Sequence, residues 1–230
     1  MNAMILAAGH GKHLRPITDT IPKALVEVHG RSLLERQLDA IQAAGITNVV
    51  INLGRLGQMI AERIGSGEQY GLDVVYSDEG DDILETGGGI HKALPMLGEK
   101  PFLVVNADIY TDMPLPVQQL DDNLMGHLVL VPKPLYKANG DFDLVDDKVR
   151  NGAEPKLTFS GVAVYRPEFF AACSPGRFPL APMLQAAADE GRLSGMLYTG
   201  LWEDVGTVER LAGVNRGQDA GVSSGEQGGS

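Results

Sequence analysis

The stretch AMILAAGHGKHLRP, at residues 3–16, decides the fold of this 230-residue chain. Residues 3–8 form an apolar run without polar alternation, which is typical of a strand buried on both faces of a sheet. The run ends at Gly9, where a glycine-rich loop begins that also contains Lys12 and Arg15. Glycines let backbone N–H groups approach a phosphate, and basic side chains supply positive charge. The loop alone fits a phosphate-binding site and an ordinary strand-to-helix turn with solvated charges equally well.

Strands and helices alternate after this loop. The spacing of apolar residues predicts amphipathic helices at residues 32–44 and 56–64. Continuous apolar runs predict buried strands at residues 48–53 and 72–76. This β-α-β-α-β order favours a parallel sheet with right-handed crossovers.

A further helix, predicted at residues 88–97, leads into a buried strand at residues 101–106, and Asp108 follows the carboxyl end of that strand. In open α/β sheets, ligands bind outside the carboxyl ends of the strands. We therefore expect the loop at Gly9 and the carboxylate of Asp108 to lie at one crevice.

The second half of the chain has a different pattern. Strands are predicted at residues 127–131 and 156–165, joined by a polar, hairpin-like stretch through Gly140. Helices are predicted at residues 181–190 and 208–214. This order of elements predicts a mixed lobe after the parallel sheet.

The composition limits the classes of function. The net charge of −11 and the pI near 4.8 argue against a nucleic-acid-binding surface, because phosphate neutralisation needs clustered lysine and arginine. Cys173 is the single cysteine, so no internal disulfide forms. No stretch approaches the roughly 20 apolar residues of a membrane span. We expect a cytoplasmic protein with neither nucleic acid nor membrane as a partner, and a disordered, Gly/Ser-rich tail at residues 217–230.

The spacing of the loop glycines excludes two common phosphate-binding designs. A P-loop has four residues between its glycines and then Lys-Ser/Thr, which residues 9–13 lack. A dinucleotide-binding loop has a third glycine or alanine where this chain has Leu14, and an acidic residue after the second strand, where residues 52–54 read Asn-Leu-Gly. A nicotinamide-dependent oxidoreductase is therefore a poor fit.

Six sequence motifs together resemble the signature of the sugar-1-phosphate nucleotidyltransferases. They are LAAGxGxxxRPxT at residues 6–18, PKAL at 22–25, LETGGG at 84–89, VNAD at 105–108, TFSG at 158–161 and WEDVGT at 202–207. The resemblance covers residues 3–214 and implies an α/β fold: a Rossmann-like, mixed and mostly parallel sheet flanked by helices, of the glycosyltransferase-A-like type. It also implies one domain at residues 1–216, with a nucleotide-binding half at about 1–110 and a smaller sugar-binding lobe at about 111–216.

The resemblance implies roles for four charged residues. It assigns Arg15 to the β- and γ-phosphates of a nucleoside triphosphate, and Lys23 to a bridge between the α-phosphate and the sugar phosphate, so these two are the expected catalytic cations. Asp108 and Asp204 are the implied ligands of Mg²⁺, which prefers oxygen donors. The attacking sugar 1-phosphate is already largely ionised at neutral pH, so no general base is needed.

Further contacts are implied on both sides of the reaction. The residues expected to contact the nucleotide are Leu6, Ala7, Ala8, Gly9, His10, Gly11, Thr86, Gly87, Gly88 and Asn106. Those expected to contact the sugar are Gly140, Asp141, Glu154, Ser160 and Gly161. The glycines at 87 and 88 also fit a helix start in which they serve packing. Lys137, Arg150 and Lys156 are each available for a substrate carboxylate or for solvent.

Substrate choice depends on weaker features. The triple glycine at residues 87–89, the Gly-Asp-Phe element at 140–142 and the short chain resemble the family members that use UTP and N-acetylmuramic acid 1-phosphate in peptidoglycan recycling. Open alternatives are guanylyl transfer to mannose 1-phosphate, thymidylyl transfer to glucose 1-phosphate, and a non-catalytic regulatory module that binds nucleotide or sugar. The lack of a hexapeptide repeat argues against a fused acyltransferase. A monomer or a small homo-oligomer is expected.

Overall fold

The computed structural model of the chain describes residues 1–80, 82–117 and 119–217. The tail predicted at residues 217–230 lies, apart from its first residue, outside the described residues. The strands are β1 (Ala3–Leu6), β2 (Glu27–Val28), β3 (Arg31–Ser32), β4 (Asn48–Leu53), β5 (Asp73–Asp78), β6 (Phe102–Asn106), β7 (Ile109–Thr111), β8 (Gly126–Pro132), β9 (Asp143–Val145), β10 (Lys148–Arg150), β11 (Leu157–Tyr165), β12 (Leu193–Leu197) and β13 (Trp202–Asp204). The helices are α1 (Ile17–Thr20), α2 (Leu33–Ala43), α3 (Gly57–Ile64), α4 (Glu85–Leu97), α5 (Ala181–Asp189) and α6 (Val208–Asn215).

Strand β1 lies inside the main sheet, between β4 and β6. Within the described residues this sheet contains nine strands, in the order β5-β4-β1-β6-β11-β8-β12-β10-β9. The first four are parallel neighbours, whereas β11 runs antiparallel to both β6 and β8. Since β8 and β12 are parallel and β10 is antiparallel to both of its neighbours, β10 and β11 run against the other seven strands. The prediction of a mixed and mostly parallel sheet is confirmed.

Helices cover both faces of this sheet. On one face, α2 and α3 bury Leu38, Ile41 and Ile60 against the strands. On the other face, α4 and α5 bury Ile90 and Leu184. A sheet that is covered on both faces needs strands that are apolar on both sides, which is why the first strand has no polar alternation. Among the described helices, none has the length and apolar character needed to cross a membrane.

Two of the predicted elements differ in position from those of the structure. The hairpin expected near Gly140 lies slightly later and is formed by β9 and β10. Its two-residue turn consists of Asp146 and Asp147, with φ angles of 50° and 57°, a conformation that aspartate tolerates better than most residues. Helix α4 begins at Glu85 rather than at residue 88, so the triple glycine lies inside the helix.

The start of α2 is fixed by buried polar groups. Oγ of Ser32 accepts a hydrogen bond from the N–H of Glu35 (3.2 Å) and donates one to the carboxylate of Glu35 (2.6 Å). Tyr70 and Arg63 donate further hydrogen bonds to this carboxylate, at 3.0 and 3.1 Å. Burial works to raise the pKa of Glu35, whereas these hydrogen bonds lower the pKa to about 2.

Glu35→Gln is expected to reduce the dependence of stability on acid pH. Because the pKa of Glu35 is lowered in the folded state, its contribution is complete above the unfolded pKa near 4.5 and is lost as the pH falls towards 2. The variant should lose on the order of 2–3 kcal/mol at neutral pH, and this loss should shrink as the pH falls from about 5 to about 2. Chemical denaturation at several pH values measures the difference. Glu68→Gln, at an exposed position, is the control, and a loss that stays constant with pH would contradict the assignment.

Candidate active site

The glycine-rich loop after β1 turns at Gly11. This residue has a φ of 60°, and its carbonyl accepts hydrogen bonds from the N–H of Leu14 (2.9 Å) and from Oγ1 of Thr18 (2.7 Å). A Cβ at this position would lie 2.8 Å from Cγ2 of Thr18 and 3.1 Å from Cβ of Lys23. Gly11 therefore lets the loop approach the segment that contains Lys23.

The other loop residues predicted to contact a nucleotide precede this turn. They pass from a buried to an exposed environment: Leu6 is half-buried, Ala7 and Ala8 are buried, and Gly9 and His10 are exposed. A Cβ at Gly9 would have no heavy atom within 4 Å. The loop therefore leaves open space beside Gly9, where a ligand has access to the backbone.

Lys23 joins the two aspartates that were predicted as metal ligands. Asp108 follows β6, and Asp204 ends β13, which pairs with β7. The N–H of Val205 donates a hydrogen bond to the carbonyl of Asp108 (2.9 Å), which holds the two segments together. Nζ of Lys23 donates a hydrogen bond to Oδ2 of Asp108 and lies 3.9 Å from Oδ1 of Asp204. One predicted catalytic cation and both predicted metal ligands therefore meet in one cluster.

Arg15, the other predicted catalytic cation, lies at the exposed rim of the loop. Its Nε is 3.1 Å from Oδ1 of Asp19 in α1, and its side chain is 61% exposed. An exposed ion pair of this kind contributes little free energy, so the guanidinium can change partners at small cost. In the described structure this arginine pairs with Asp19 rather than with Asp108 or Asp204.

Arg210 contacts Asp204 and was missed at the sequence level. Its Nη1 donates a hydrogen bond to Oδ2 of Asp204 (3.1 Å), and its guanidinium carbon lies 4.4 Å from the centre of the Tyr136 ring. Thr207 caps α6 by accepting a hydrogen bond from the N–H of Arg210 (3.2 Å), and a Cβ at Gly206 would overlap the guanidinium. Burial and the nearby Asp204 raise the pKa of Tyr136. Both carboxylate oxygens of Asp204 thus face a cation of the chain.

The carboxylates of Asp108 and Asp204 are hard oxygen donors that fit a divalent cation such as Mg²⁺. Across residues 1–80, 82–117 and 119–217, no group of three or more His, Cys, Asp or Glu side chains is arranged to hold a metal ion. A cation at this aspartate pair therefore needs further oxygen ligands from water or from a substrate.

The glycines of the LETGGG motif lie in the first turns of α4, after the exposed Thr86. The N–H of Gly88 donates a hydrogen bond to the carbonyl of Phe178 (3.1 Å). A Cβ at Gly87 would lie 2.5 Å from the Phe178 ring, and a Cβ at Gly88 would overlap the carbonyl oxygen of Gly176. The packing explanation of these two glycines is confirmed, and their contact with a nucleotide stays a prediction.

Asn106 and Gly161 lie side by side where β6 pairs with β11. Gly161 has a φ of 84°, and a Cβ there would lie 2.7 Å from Nδ2 of Asn106. Ser160 is buried: its Oγ accepts a hydrogen bond from the N–H of Val162 (3.2 Å), and its carbonyl accepts one from the indole N–H of Trp202 (2.9 Å). One of the residues predicted to contact the nucleotide, Asn106, and two of those predicted to contact the sugar, Ser160 and Gly161, therefore lie together at this point.

Asp141 lies at a cleft of about 600 Å³ that is also lined by Gly140, Phe159 and α5. The carboxylate of Asp141 accepts hydrogen bonds from Nζ of Lys137 (3.0 Å) and from the N–H of Phe159 (2.9 Å). A Cβ at Gly140 would lie 2.6 Å from two backbone carbonyl oxygens, so glycine is required there for packing. Glu154 is exposed and is not among the residues that line this cleft.

Known proteins share this architecture and much of this sequence. The family described as Nucleotidyl transferase matches residues 2–124. The N-acetylmuramate alpha-1-phosphate uridylyltransferase of Neisseria meningitidis serogroup B is 46% identical over 221 residues, which cover 92% of this chain and 95% of that protein. A protein of the same name from Caulobacter vibrioides is 34% identical over 220 residues, with coverage of 89% and 91%. The solved structure of UDP-glucose pyrophosphorylase complexed with UDP-glucose has the same fold, with a TM-score of 0.74, 17% identity and coverage of 94% and 97%.

Gly9→Ala and Gly11→Ala are expected to differ in stability although they change the same loop. Gly11→Ala should lower the free energy of unfolding by about 1–3 kcal/mol, because the new side chain has a positive φ and a close contact with Thr18. Gly9→Ala should change it by less than about 0.5 kcal/mol, since the added methyl group meets open space. Denaturant unfolding of both variants measures the difference. Equal losses would show that this description of the loop is wrong.

Proposed function

This chain belongs to the nucleotidyl transferase family, and we propose that it transfers a uridylyl group from UTP to N-acetylmuramic acid 1-phosphate, with release of pyrophosphate. The product is UDP-N-acetylmuramic acid, and the reaction serves peptidoglycan recycling in the cytoplasm. The main support for the proposal is that Lys23, Asp108 and Asp204 lie together in one cluster. The chain that contains them is 46% identical, over 92% of its length, to an N-acetylmuramate alpha-1-phosphate uridylyltransferase.

The reaction needs charge screening rather than proton transfer. The sugar phosphate has a second pKa of about 6, so it is largely a dianion at neutral pH and attacks the α-phosphate of UTP without a general base. Two anions must meet and pyrophosphate must leave, which requires cations at the reacting phosphates. In our proposal, the ammonium group of Lys23 screens the attacking phosphate and the α-phosphate. Arg15, at the rim of the loop, turns from Asp19 to the β- and γ-phosphates.

The two substrates meet where the halves of the chain join. The open space beside Gly9 supports binding of UTP against the backbone of the loop. The contact between Asn106 and Gly161 supports a boundary at this point between two halves of the chain. The nucleotide-binding half lies at about residues 1–110 and the sugar-binding half at about 111–216. Because the attacking and leaving oxygens lie roughly in line, we place the sugar phosphate on the side of this second half and the leaving pyrophosphate opposite to it.

Asp108 and Asp204 are the residues that would hold Mg²⁺. Their carboxylates supply two oxygen ligands, and Mg²⁺ commonly takes the others from water and substrate phosphates. When bound, the ion supplies positive charge to the phosphate oxygens of the triphosphate. Lys23 donates a hydrogen bond to Asp108 and Arg210 donates one to Asp204, so a bound ion would compete with these cations for the aspartate oxygens.

A substrate panel tests the proposal. The purified protein is incubated with Mg²⁺, each nucleoside triphosphate and the 1-phosphates of N-acetylmuramic acid, mannose and glucose, and pyrophosphate release is measured. Release is expected to be fastest with UTP and N-acetylmuramic acid 1-phosphate. Faster release with GTP and mannose 1-phosphate, or with dTTP and glucose 1-phosphate, would support those alternatives instead. No release with any pair would refute an enzymatic function and favour a non-catalytic binding module.

Asp108→Asn is expected to lower kcat by about 100-fold or more, because the lost carboxylate contacts Lys23 and belongs to the cation site, which contributes several kcal/mol. The two side chains have similar volumes, so unfolding should stay cooperative. Asp73→Asn, at the exposed start of β5, is the matched control and should keep full activity. Steady-state kinetics and thermal unfolding of both variants are the measurements. An Asp108→Asn variant with normal activity would remove this aspartate from the reaction.

A further inference from the structure

Asn52 and Glu79 form a buried polar pair near the carboxyl ends of β4 and β5. The two residues are 3% and 8% exposed, and Nδ2 of Asn52 donates a hydrogen bond to Oε1 of Glu79 (2.7 Å). Within the described part of the chain, no lysine or arginine forms an ion pair with Glu79. A buried carboxylate without a cation costs free energy, so its hydrogen bonds must satisfy it. This pair was not among the site residues predicted from the sequence.

The pair connects the two segments that are expected to hold the nucleotide. Oδ1 of Asn52 accepts a hydrogen bond from the N–H of Ala7 (2.6 Å). Oε2 of Glu79 accepts one from the N–H of Leu84 (2.8 Å). Three consecutive hydrogen bonds therefore run from the start of the glycine-rich loop to the residue before α4.

Two glycines make room for this hydrogen-bonded chain. A Cβ at Gly89 would lie 2.6 Å from Oε1 of Glu79 and 3.0 Å from Nδ2 of Asn52. A Cβ at Gly54 would lie 2.8 Å from the carbonyl oxygen of Ala8. A side chain at either position would push the pair or the loop out of place. The third glycine of LETGGG is thereby explained by the pair on which it packs.

We propose that Asn52 and Glu79 are positioning residues for the nucleotide. They fix the N–H of Ala7, and with it the loop up to Gly9, relative to the first turn of α4. They act through the backbone and not by touching the substrate. The inference rests on the proposed function, because it takes these two segments as the binding site of UTP.

The order of donors and acceptors in the pair gives a specific test. Asn52→Asp replaces a donor by an oxygen, so two acceptors face each other. Glu79→Gln introduces a donor that must face either Nδ2 of Asn52 or the N–H of Leu84, so two donors face each other. In the double variant, the introduced carboxylate accepts hydrogen bonds from Ala7 and from the introduced amide, whose oxygen accepts one from Leu84. The double variant therefore restores every hydrogen bond and keeps the total charge of the pair.

Two measurements test the proposal. Titration calorimetry gives the affinity for UTP in the presence of Mg²⁺, and steady-state kinetics give the KM of each substrate. Each single variant is expected to bind UTP about tenfold more weakly or worse, because one buried hydrogen bond is mismatched. The KM for the sugar 1-phosphate should stay unchanged. The double variant is expected to bind UTP within about threefold of the wild type. A purely structural role would lower the folded fraction without changing the UTP affinity of the folded protein.

Single variants that bind UTP like the wild type, or a double variant as weak as the single ones, would overturn the inference. If one single variant does not fold, the other single variant is compared with the double variant: weakened UTP binding that the double variant restores supports the inference, and equal UTP binding by the two refutes it. Asn48→Asp, at the exposed start of β4, is the matched control and should not change UTP binding. A wild-type protein that binds no UTP would refute the proposed function and this inference with it, whereas unaffected variants refute the inference alone.

Discussion

The pairing of β1 between β4 and β6 is the constraint on which the site depends. In this register Leu6 lies opposite Asn52 on one side and Asn106 on the other. Because paired strands are about 4.8 Å apart, the loop after Leu6 begins with an asparagine on each side. Asn52 connects the loop through Glu79 to α4, and Asn106 packs on Gly161 of β11. A slip of one residue in either pairing would turn one of these asparagines away from the loop, so the register defines both halves of the site.

The same edge of the sheet concentrates the charges that the chemistry needs. Asp108 and Asp204 follow or end strands, whereas Lys23 and Arg210 come from short helical segments beside the sheet. In a chain with a net charge of −11, these two cations lie where phosphates are expected, and each is held by an aspartate. Each of these charges has an oppositely charged partner in a partly buried place, so we expect a substitution in this cluster to disturb more than one contact.

The central strands and the meeting of loop and Asp108 follow from sequence alone, because strands covered on both faces are continuous apolar runs whose carboxyl ends share one edge. The roles of Lys23 and Asp204 were predicted only from motifs, since the periodicity of apolar residues does not show that residues so far apart in sequence meet. The hairpin of β9 and β10 was placed too early because its strands are short and its turn is Asp-Asp rather than the usual Asn-Gly. The contact of Arg210 with Tyr136 had no local signal, as it depends on how two distant segments pack.

The triple glycine at residues 87–89 shows how a motif expected at a ligand can have its origin in packing. Gly87 and Gly88 admit the segment of Phe178 from the second half of the chain, and Gly89 admits Glu79 from the first half. A glycine inside a helix lowers stability by about 1 kcal/mol relative to alanine, so three in succession are favourable only where close packing contributes more than they lose. Here the packing fixes the first turns of α4 from both sides. Backbone groups held in this way would lose little further freedom when a nucleotide binds, so the entropic cost of binding is small. The packing role of these glycines and their predicted role in nucleotide binding therefore do not conflict.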